Sequence, residues 1–219
     1  MTTMAPRRRR LWAAIALGAI ALVLAAGAIT AAVLSRAPED ATGKDMRGNS
    51  VRLEPGSGLT PQVIHDMNAV ADSGDRFRVP SVGLDVPLGA LDMTHGTITP
   101  PGFASAYDVR NLGVPLSQAP TGTVFVATHS LRNGAVGPGN YLIDVKAQKA
   151  KVAVGATIDV ADVAYSVTGA KAIGKLDISS DADVWANVPG RLVVITCLQR
   201  RDGRASTQNM VITAQLDAH

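Results

Sequence analysis

The chain has 219 residues and a net charge of +3, a length that suits one domain of ordinary size with additional segments. Aromatic residues make up only 4% of the sequence, so a core has to be built from Val, Ile, Leu and Ala. Five of the 21 Lys and Arg residues but none of the 18 acids lie in residues 1–36, so the rest of the chain is slightly acidic and does not indicate a nucleic-acid-binding surface.

The N-terminus has the pattern of a membrane anchor. The basic segment 1–10 ends in four consecutive arginines, and residues 11–34 form an uncharged apolar run of 24 residues. That run is long enough to cross a bilayer as a helix, whereas a signal peptide usually has an apolar region of only ~7–15 residues. The arginines predict a cytoplasmic N-terminus, with everything after Arg36 outside the membrane.

Two segments follow before the main domain. Residues 35–59 are rich in Gly, Pro, Ser and charge, which predicts a flexible linker. Residues 60–74 predict a short helix or stalk, with Thr60 as N-cap, Pro61 in the first turn and Gly74 as the stop. His65 lies on this helix and is interpreted as a solvent-facing or capping residue.

Residues 75–219 read as a β domain. Short β-branched runs are separated by turn residues, as in "GTVFVATHS", "TIDVADVAYSV", "RLVVITC" and "NMVITAQL". Many short strands with few helices favour a barrel or a sandwich. The sequence has no internal repeat, no zinc-ligand spacing and no glycine-rich phosphate loop, so it indicates neither a metal nor another cofactor.

Two of these runs end in a reactive residue followed by a polar loop. "VFVATHS" ends at His129, and "LVVITC" ends at Cys197, the only cysteine. A thiol with a histidine partner suits covalent acyl transfer, because the thiolate attacks and the imidazole moves the proton. Taken singly, a cysteine such as Cys197 is more often a small buried residue, and a histidine such as His129 is usually a hydrogen-bonded polar residue.

These motifs resemble the sortases. "LVVITC" is similar to the sortase strand Leu-x-x-x-Thr-Cys, "VFVATHS" to the strand that ends at the catalytic histidine, and "FRVPSVGLDVPL" to the first sortase strand. The resemblance covers about residues 76–217 and is nearest to the small sortases of high-GC Gram-positive bacteria, class F or class E. It implies a closed eight-stranded β-barrel. One departure is Thr128, where sortases usually have Gly.

The resemblance also implies an activity. Cys197 would be the nucleophile and His129 the acid–base group of a transpeptidase. It would cleave a C-terminal sorting signal of the Leu-Pro-x-Thr-Gly kind and pass the acyl group to an amine of a cell-wall precursor or of another protein. The alternatives are an inactive, anchored module on the same barrel and a thiol hydrolase that uses water.

Sortases commonly place an arginine on the final strand across from the cysteine, and this sequence departs from that pattern. Asp202–Gly203 predicts a two-residue hairpin turn, which pairs Cys197 with Gln208. The nearby arginines Arg200, Arg201 and Arg204 then lie near the turn. Arg204 is the first candidate if the loop curls back over the site, and Gln208 is the alternative as a neutral amide donor.

Other candidate residues flank the predicted site. Thr196 is either a strand residue or a substrate contact, and Trp185 either packs on the barrel or lines the peptide groove. Some sortases bind calcium through acids of the corresponding loop. Here the acids Asp177, Asp181 and Asp183 are interpreted as a solvated loop with no bound metal.

Overall fold

The computed structural model describes residues 42–52 and 60–218. Their α-helices are α1 (Pro61–Asp66), α2 (Gly139–Leu142) and α3 (Ala182–Trp185), and short 3-10 turns cover Pro80–Val82, Leu116–Thr121 and Ile178–Ser180. The strands are β1 (Thr42–Lys44), β2 (Ser50–Arg52), β3 (Val70–Val79), β4 (Leu84–Leu91), β5 (Ala106–Val109), β6 (Thr123–Thr128), β7 (Ile143–Asp144), β8 (Lys149–Ala150), β9 (Thr157–Val160), β10 (Val163–Gly174), β11 (Arg191–Leu198) and β12 (Gln208–Leu216).

Eight strands close into a barrel in the order β10–β12–β11–β6–β5–β4–β3–β9, with β9 pairing back to β10. The pairs β4–β5 and β6–β11 are parallel, and the other neighbouring pairs are antiparallel. Closure leaves these strands without open edges. The predicted closed eight-stranded barrel with short helices is confirmed, and the alternative of a sandwich is excluded.

The two central strands of the site are covered on both faces. In β11, Leu192 and Val194 point into the barrel core, whereas Val193 joins a second apolar cluster on the outside. In β6, Val126 points inward and Phe125 outward. Because neighbouring strand residues face opposite sides and both sides are covered, these strands read as continuous apolar runs in the sequence.

The helix predicted over residues 60–74 is shorter in the structure. It begins as predicted, since Thr60 Oγ1 accepts a backbone N–H at 3.2 Å and proline occupies the first turn. It ends after Asp66, because Asn68 adopts a left-handed conformation with φ 47° and the chain then enters β3. Gly74, the predicted stop, lies within β3 with φ 89°. Long-range pairing with β4 overrides the helical pattern of this segment.

The prediction of a flexible linker over 35–59 does not hold for residues 42–52. These residues form the antiparallel β1–β2 hairpin. Its Asp45 is only 3% exposed and accepts a hydrogen bond from Val136 N at 3.0 Å. Gly, Pro, Ser and charged residues suggested a linker by composition, but Gly, Pro and Ser also build tight turns.

Several predicted segments lie outside the described residues. They are the basic segment 1–10, the transmembrane helix 11–34 and the remaining parts of the linker. Across residues 42–52 and 60–218, none of the helices combines the length and the apolar character needed to span a membrane.

Candidate active site

The parallel pairing of β6 with β11 brings His129 and Cys197 together. The pairs run from Arg191 with Thr123 to Ile195 with Ala127, so partners are offset by 68 positions throughout. His129 and Cys197 are separated by the same offset, two residues beyond the last pair. Because parallel strands point the same way, both residues emerge at the same end of the two strands.

Both residues open into one cleft on the outer face of the barrel. Cys197 lies on the same face of β11 as the outward-facing Val193 and Ile195, and it is partly buried. The cleft has a volume of about 510 Å³, and Cys197, His129 and Ile195 contribute to its walls. A partly buried thiol beside an imidazole in a cleft is able to attack a bound carbonyl.

Polar side chains tie the two strand ends to each other. The hydroxyl of Ser130, directly after His129, donates to the backbone carbonyl of Cys197. Gln199 Nε2 donates to the Ser130 carbonyl at 2.8 Å, and both polar residues are buried. Ser130 and Gln199 could not be predicted from the sequence, because only the strand register shows that these two residues near the reactive pair face each other.

The His129 ring is held in one tautomer. Its Nε2 lies 2.8 Å from the Pro100 carbonyl oxygen, which only accepts hydrogen bonds, so Nε2 carries the proton and donates. Nδ1 is then the nitrogen with a lone pair for proton exchange. The ring centroid lies 5.3 Å from that of Phe103, with the planes tilted by 41°.

The pKa of His129 is lowered from its ordinary value. Burial is the largest cause, the hydrogen bond to Pro100 opposes it, and the positive charge of Lys175 lowers the pKa further. The imidazole is therefore neutral at physiological pH and able to accept a proton from the thiol.

Trp185 lines the cleft and also packs on the barrel. Its ring stacks on Phe125 with centroids 5.8 Å apart and planes 24° apart. The indole Nε1 donates to the Ile178 carbonyl at 2.6 Å. Both roles considered for this residue are therefore compatible with its position.

Thr196 lies away from the cleft. It is 2% exposed, and a Cβ added to Gly139 would overlap Thr196 Oγ1. Among the described residues its hydroxyl has no hydrogen-bond partner. The structure thus gives Thr196 a packing position next to the reactive cysteine and no direct access to a substrate in the cleft.

The predicted register between the last two strands is wrong by one residue. Cys197 pairs with Asn209, and Gln208 pairs with Leu198. The error arises because Asp202–Gly203 does not form a two-residue hairpin. A longer loop joins β11 to β12, and these residues belong to a turn closed by Gly203 N donating to the Arg200 carbonyl at 3.2 Å.

The nominated arginines are engaged in this loop. Arg204 Nε and Arg200 Nη2 both donate to Asp202 Oδ2, at 2.8 and 2.7 Å. The backbone N–H of Arg204 and the two side chains hold the pKa of Asp202 at about 2. Arg204 is 74% exposed and does not line the cleft. Arg200 and Arg201 line a separate pocket together with Asp202 and Gln148.

Other polar side chains line the cleft instead, among them one amide and two cations. Asn209 lies directly across from Cys197, Lys175 follows the end of β10, and Arg132 lies three residues after His129. The sequence alone does not predict these three positions. The one-residue register error placed Gln208, and not Asn209, across from Cys197. Lys175 reaches the cleft because β10 pairs with β12.

The acidic loop has no metal site among the described residues, where no group of three or more ligating side chains comes together. Asp181 instead accepts a hydrogen bond from Lys171 Nζ at 2.9 Å and one from the Val184 N–H in α3. Its carboxylate therefore serves as an ion-pair partner and a helix cap.

The chain is similar to solved sortase structures. Sortase A of Listeria monocytogenes is 25% identical, with 66% of this chain and 86% of that chain covered and a TM-score of 0.43. Sortase C-1 from Actinomyces oris is 16% identical, with 76% and 87% covered and a TM-score of 0.48. Sortase C-1 from Streptococcus pneumoniae is 18% identical, with 77% and 74% covered and a TM-score of 0.45. No protein-family model and no curated protein matches the chain.

Proposed function

We propose that the chain is a cysteine transpeptidase of the sortase type, with Cys197 as nucleophile and His129 as acid–base group. The observation that carries the proposal is their common position. They lie at the same ends of two paired parallel strands, and both line one cleft. The neutral imidazole with Nδ1 as its basic nitrogen adds support, because it suits proton transfer from a thiol.

The reaction has two halves. In the first, His129 Nδ1 takes the thiol proton while Cys197 Sγ bonds to the carbonyl carbon of a peptide. The tetrahedral intermediate collapses, the C–N bond breaks, and Nδ1 gives the proton to the leaving amine. In the second, a new amine attacks the thioester and loses a proton to His129, and the C–S bond breaks to restore the thiol.

The oxyanion of each tetrahedral intermediate needs a hydrogen-bond donor. The proposal assigns this role to the Asn209 amide, which lies across from the cysteine and lines the cleft. Neutral amides act in this way in other acyl-transfer sites. Arg204, the first candidate from the sequence, is held by Asp202 in the loop between β11 and β12.

The substrate, the acceptor and the subclass follow from the motif resemblance. The substrate is a C-terminal sorting signal of the Leu-Pro-x-Thr-Gly kind on a secreted protein. The acceptor is an amine of a cell-wall precursor or of another protein, and the subclass is the small type, class F or class E. None of these steps requires a cofactor.

Residues 11–34 anchor the enzyme in this proposal, with the N-terminus in the cytoplasm and the barrel domain outside the cell membrane. Protease added to intact spheroplasts digests the domain if this orientation holds. Protection until lysis contradicts it.

The decisive experiment incubates the full-length chain with short sorting-signal peptides, with and without an added amine, and identifies the products by mass spectrometry. We expect cleavage after Thr, a thioester at Cys197 and transfer to the amine. Cys197→Ala abolishes cleavage, and His129→Ala lowers turnover roughly 100- to 10,000-fold. His65→Ala is the matched control, since His65 is exposed on α1.

Two outcomes identify the alternatives. Cleavage with only water as acceptor, even at high amine concentration, identifies a thiol hydrolase. If the peptide stays intact and does not protect Cys197 from a thiol reagent, the chain is an inactive module. Full activity in Cys197→Ala contradicts the mechanism itself.

A further inference from the structure

The β1–β2 hairpin is joined by hydrogen bonds to the loop that follows His129. Asp45 Oδ2 accepts from Val136 N at 3.0 Å, and Met46 N donates to the Val136 carbonyl at 2.9 Å. Within the hairpin, Asp45 Oδ1 accepts from Arg47 N at 2.9 Å and from Asn49 N at 2.8 Å. One carboxylate therefore fixes the hairpin turn and attaches it to the loop.

Asp45 is ionised under all physiological conditions. Burial raises its pKa, but the hydrogen bonds from the Asn49 side chain and from three backbone N–H groups outweigh burial and hold the pKa at about 2. A carboxylate accepting several N–H groups stabilises its charged form in this way. The attachment of the hairpin is therefore permanent over the pH range in which His129 changes its charge.

The loop held by Asp45 leads directly to His129. Asn140 Oδ1 accepts from the N–H groups of Leu131 and Gly137, both at 2.8 Å. Gly139 N donates to the His129 carbonyl at 2.8 Å. These bonds close residues 129–140 into one unit, so a displacement at Val136 is transmitted to the His129 backbone.

A second contact runs through the Phe103 ring, which is 2% exposed. On one side, a Cβ added to Gly43 of β1 would lie 2.7 Å from Phe103 Cδ2. The ring also packs against the His129 imidazole, with the two ring centroids 5.3 Å apart. Val51 of the hairpin and Leu131 of the loop pack in the same apolar cluster. The hairpin thus keeps Phe103 against the imidazole and excludes water there.

We propose that the β1–β2 hairpin is a positioning element of the candidate active site, with Asp45 and Gly43 as positioning residues that act on His129 through Val136 and Phe103. The hairpin contributes no described residue to the cleft walls. Its effect on turnover rests on the proposed function, whereas its effect on the His129 imidazole does not.

Two substitutions test the two contacts separately. Asp45→Asn places an NH₂ group against an N–H donor whichever oxygen it replaces, so it weakens the hairpin and its bond to Val136. Gly43→Ala inserts a methyl group against Phe103 without touching Asp45. The matched controls are Asp72→Asn, whose carboxylate accepts from the N–H of Gly74 in β3, and Gly169→Ala in β10, where the nearest atom lies at 3.4 Å.

The measurement is the NMR titration of the His129 ring in the full-length chain labelled at histidine, together with peptide cleavage and thermal unfolding. In both hairpin variants we expect the pKa of His129 to rise toward its ordinary value as water reaches the ring. We expect kcat to fall at least about tenfold as the imidazole loses its orientation. Both controls keep the wild-type titration and turnover.

A general loss of stability lowers the unfolding temperature but leaves the His129 titration of the folded chain unchanged. An unchanged titration in both hairpin variants therefore overturns the inference. If the wild-type chain cleaves no sorting-signal peptide, the proposed function fails, and the titration alone decides the role of the hairpin.

Discussion

At the scale of single residues, Lys175 contributes a positive charge that lowers the pKa of His129. It lies two residues beyond Ile173, which pairs with Asn209, and its side chain lines the cleft. Its neighbour Lys171 differs, since Lys171 is ion-paired with Asp181 at 2.9 Å. Lys171 is therefore a matched control for substitutions of Lys175.

Lys175→Met removes a charge that lowers the pKa of His129, so that pKa rises. The imidazole must be neutral to take the thiol proton, so turnover falls as the pH drops through the His129 pKa, which lies below 6.5 in the wild type. We expect the acid limb of the kcat/KM profile to move to higher pH in Lys175→Met and to stay in place in Lys171→Met. A limb that is unmoved in both variants contradicts this account.

Asn209 and Arg204 make opposite predictions about the oxyanion donor. Asn209→Ala removes an amide next to Cys197, and loss of one such donor costs roughly 100- to 1,000-fold in kcat. Arg204→Ala removes an exposed side chain that holds Asp202, so turnover stays near that of the wild type. Steady-state kinetics on one peptide separates the two. If Arg204→Ala loses most of its turnover while Asn209→Ala stays active, Arg204 and not Asn209 is the oxyanion donor.

At the scale of elements, the start of α2 sets how closely the two reactive strand ends approach. A Cβ at Gly139 would overlap Thr196 Oγ1 and lie 2.9 Å from the His129 carbonyl oxygen. Gly139→Ala therefore separates α2 from β11 and displaces His129. We expect a loss of roughly 1–3 kcal/mol in the free energy of unfolding and a larger loss in kcat than stability alone explains.

The double variant with Thr196→Ser checks the cause of that loss. Removing the Thr196 methyl group gives the side chain more freedom to turn away from the added Cβ. Partial recovery of unfolding free energy and of kcat is expected, and denaturant unfolding with peptide kinetics measures both. If Gly139→Ala keeps wild-type stability and turnover, the contact between residue 139 and Thr196 does not restrict the approach of the two strand ends.

The strand that contains Cys197 and the strand that His129 follows could be predicted from the sequence, because their apolar runs are local signals. The eight-stranded closure came from the motif resemblance. The neighbours of Cys197 were not predictable, since they depend on a longer loop where Asp202–Gly203 suggested a two-residue turn. The β1–β2 hairpin was missed because turn residues and linker residues share one composition.

At the scale of the whole molecule, a half-buried acid on the core-facing side of β5 makes stability depend on pH. Asp108 faces the same way as the core residue Ala106, and burial raises its pKa to about 6 despite the opposing charge of Arg110. Tyr165, also in the core, has its pKa raised to about 12 by burial and by Asp108. Neither Asp108 Oδ1 nor the Tyr165 hydroxyl has a partner among the described residues.

A raised pKa in the folded state means that the native chain binds this proton more tightly than the unfolded chain. Stability from Asp108 is therefore present below pH ~4 and is lost as the pH rises through about 6, by at most about 3 kcal/mol. Asp108→Asn removes this loss, so the variant gains stability over the wild type at pH 8 but not at pH 4. Denaturant unfolding at both pH values measures the difference, and a gain independent of pH refutes the explanation.

The parallel pairing of β6 with β11 has a consequence for biosynthesis. Parallel neighbours cannot be joined by a tight turn, so residues 129–190 have to be made before β11 reaches β6. The barrel then closes only when β12, the last of the described strands, pairs with both β10 and β11. His129 and Cys197 thus meet through one of the most sequence-distant pairings of the chain, and such pairings form slowly. A nascent chain still lacking β12 has an open barrel and no finished cleft, so the surroundings of Cys197 are completed only after β12 has been made.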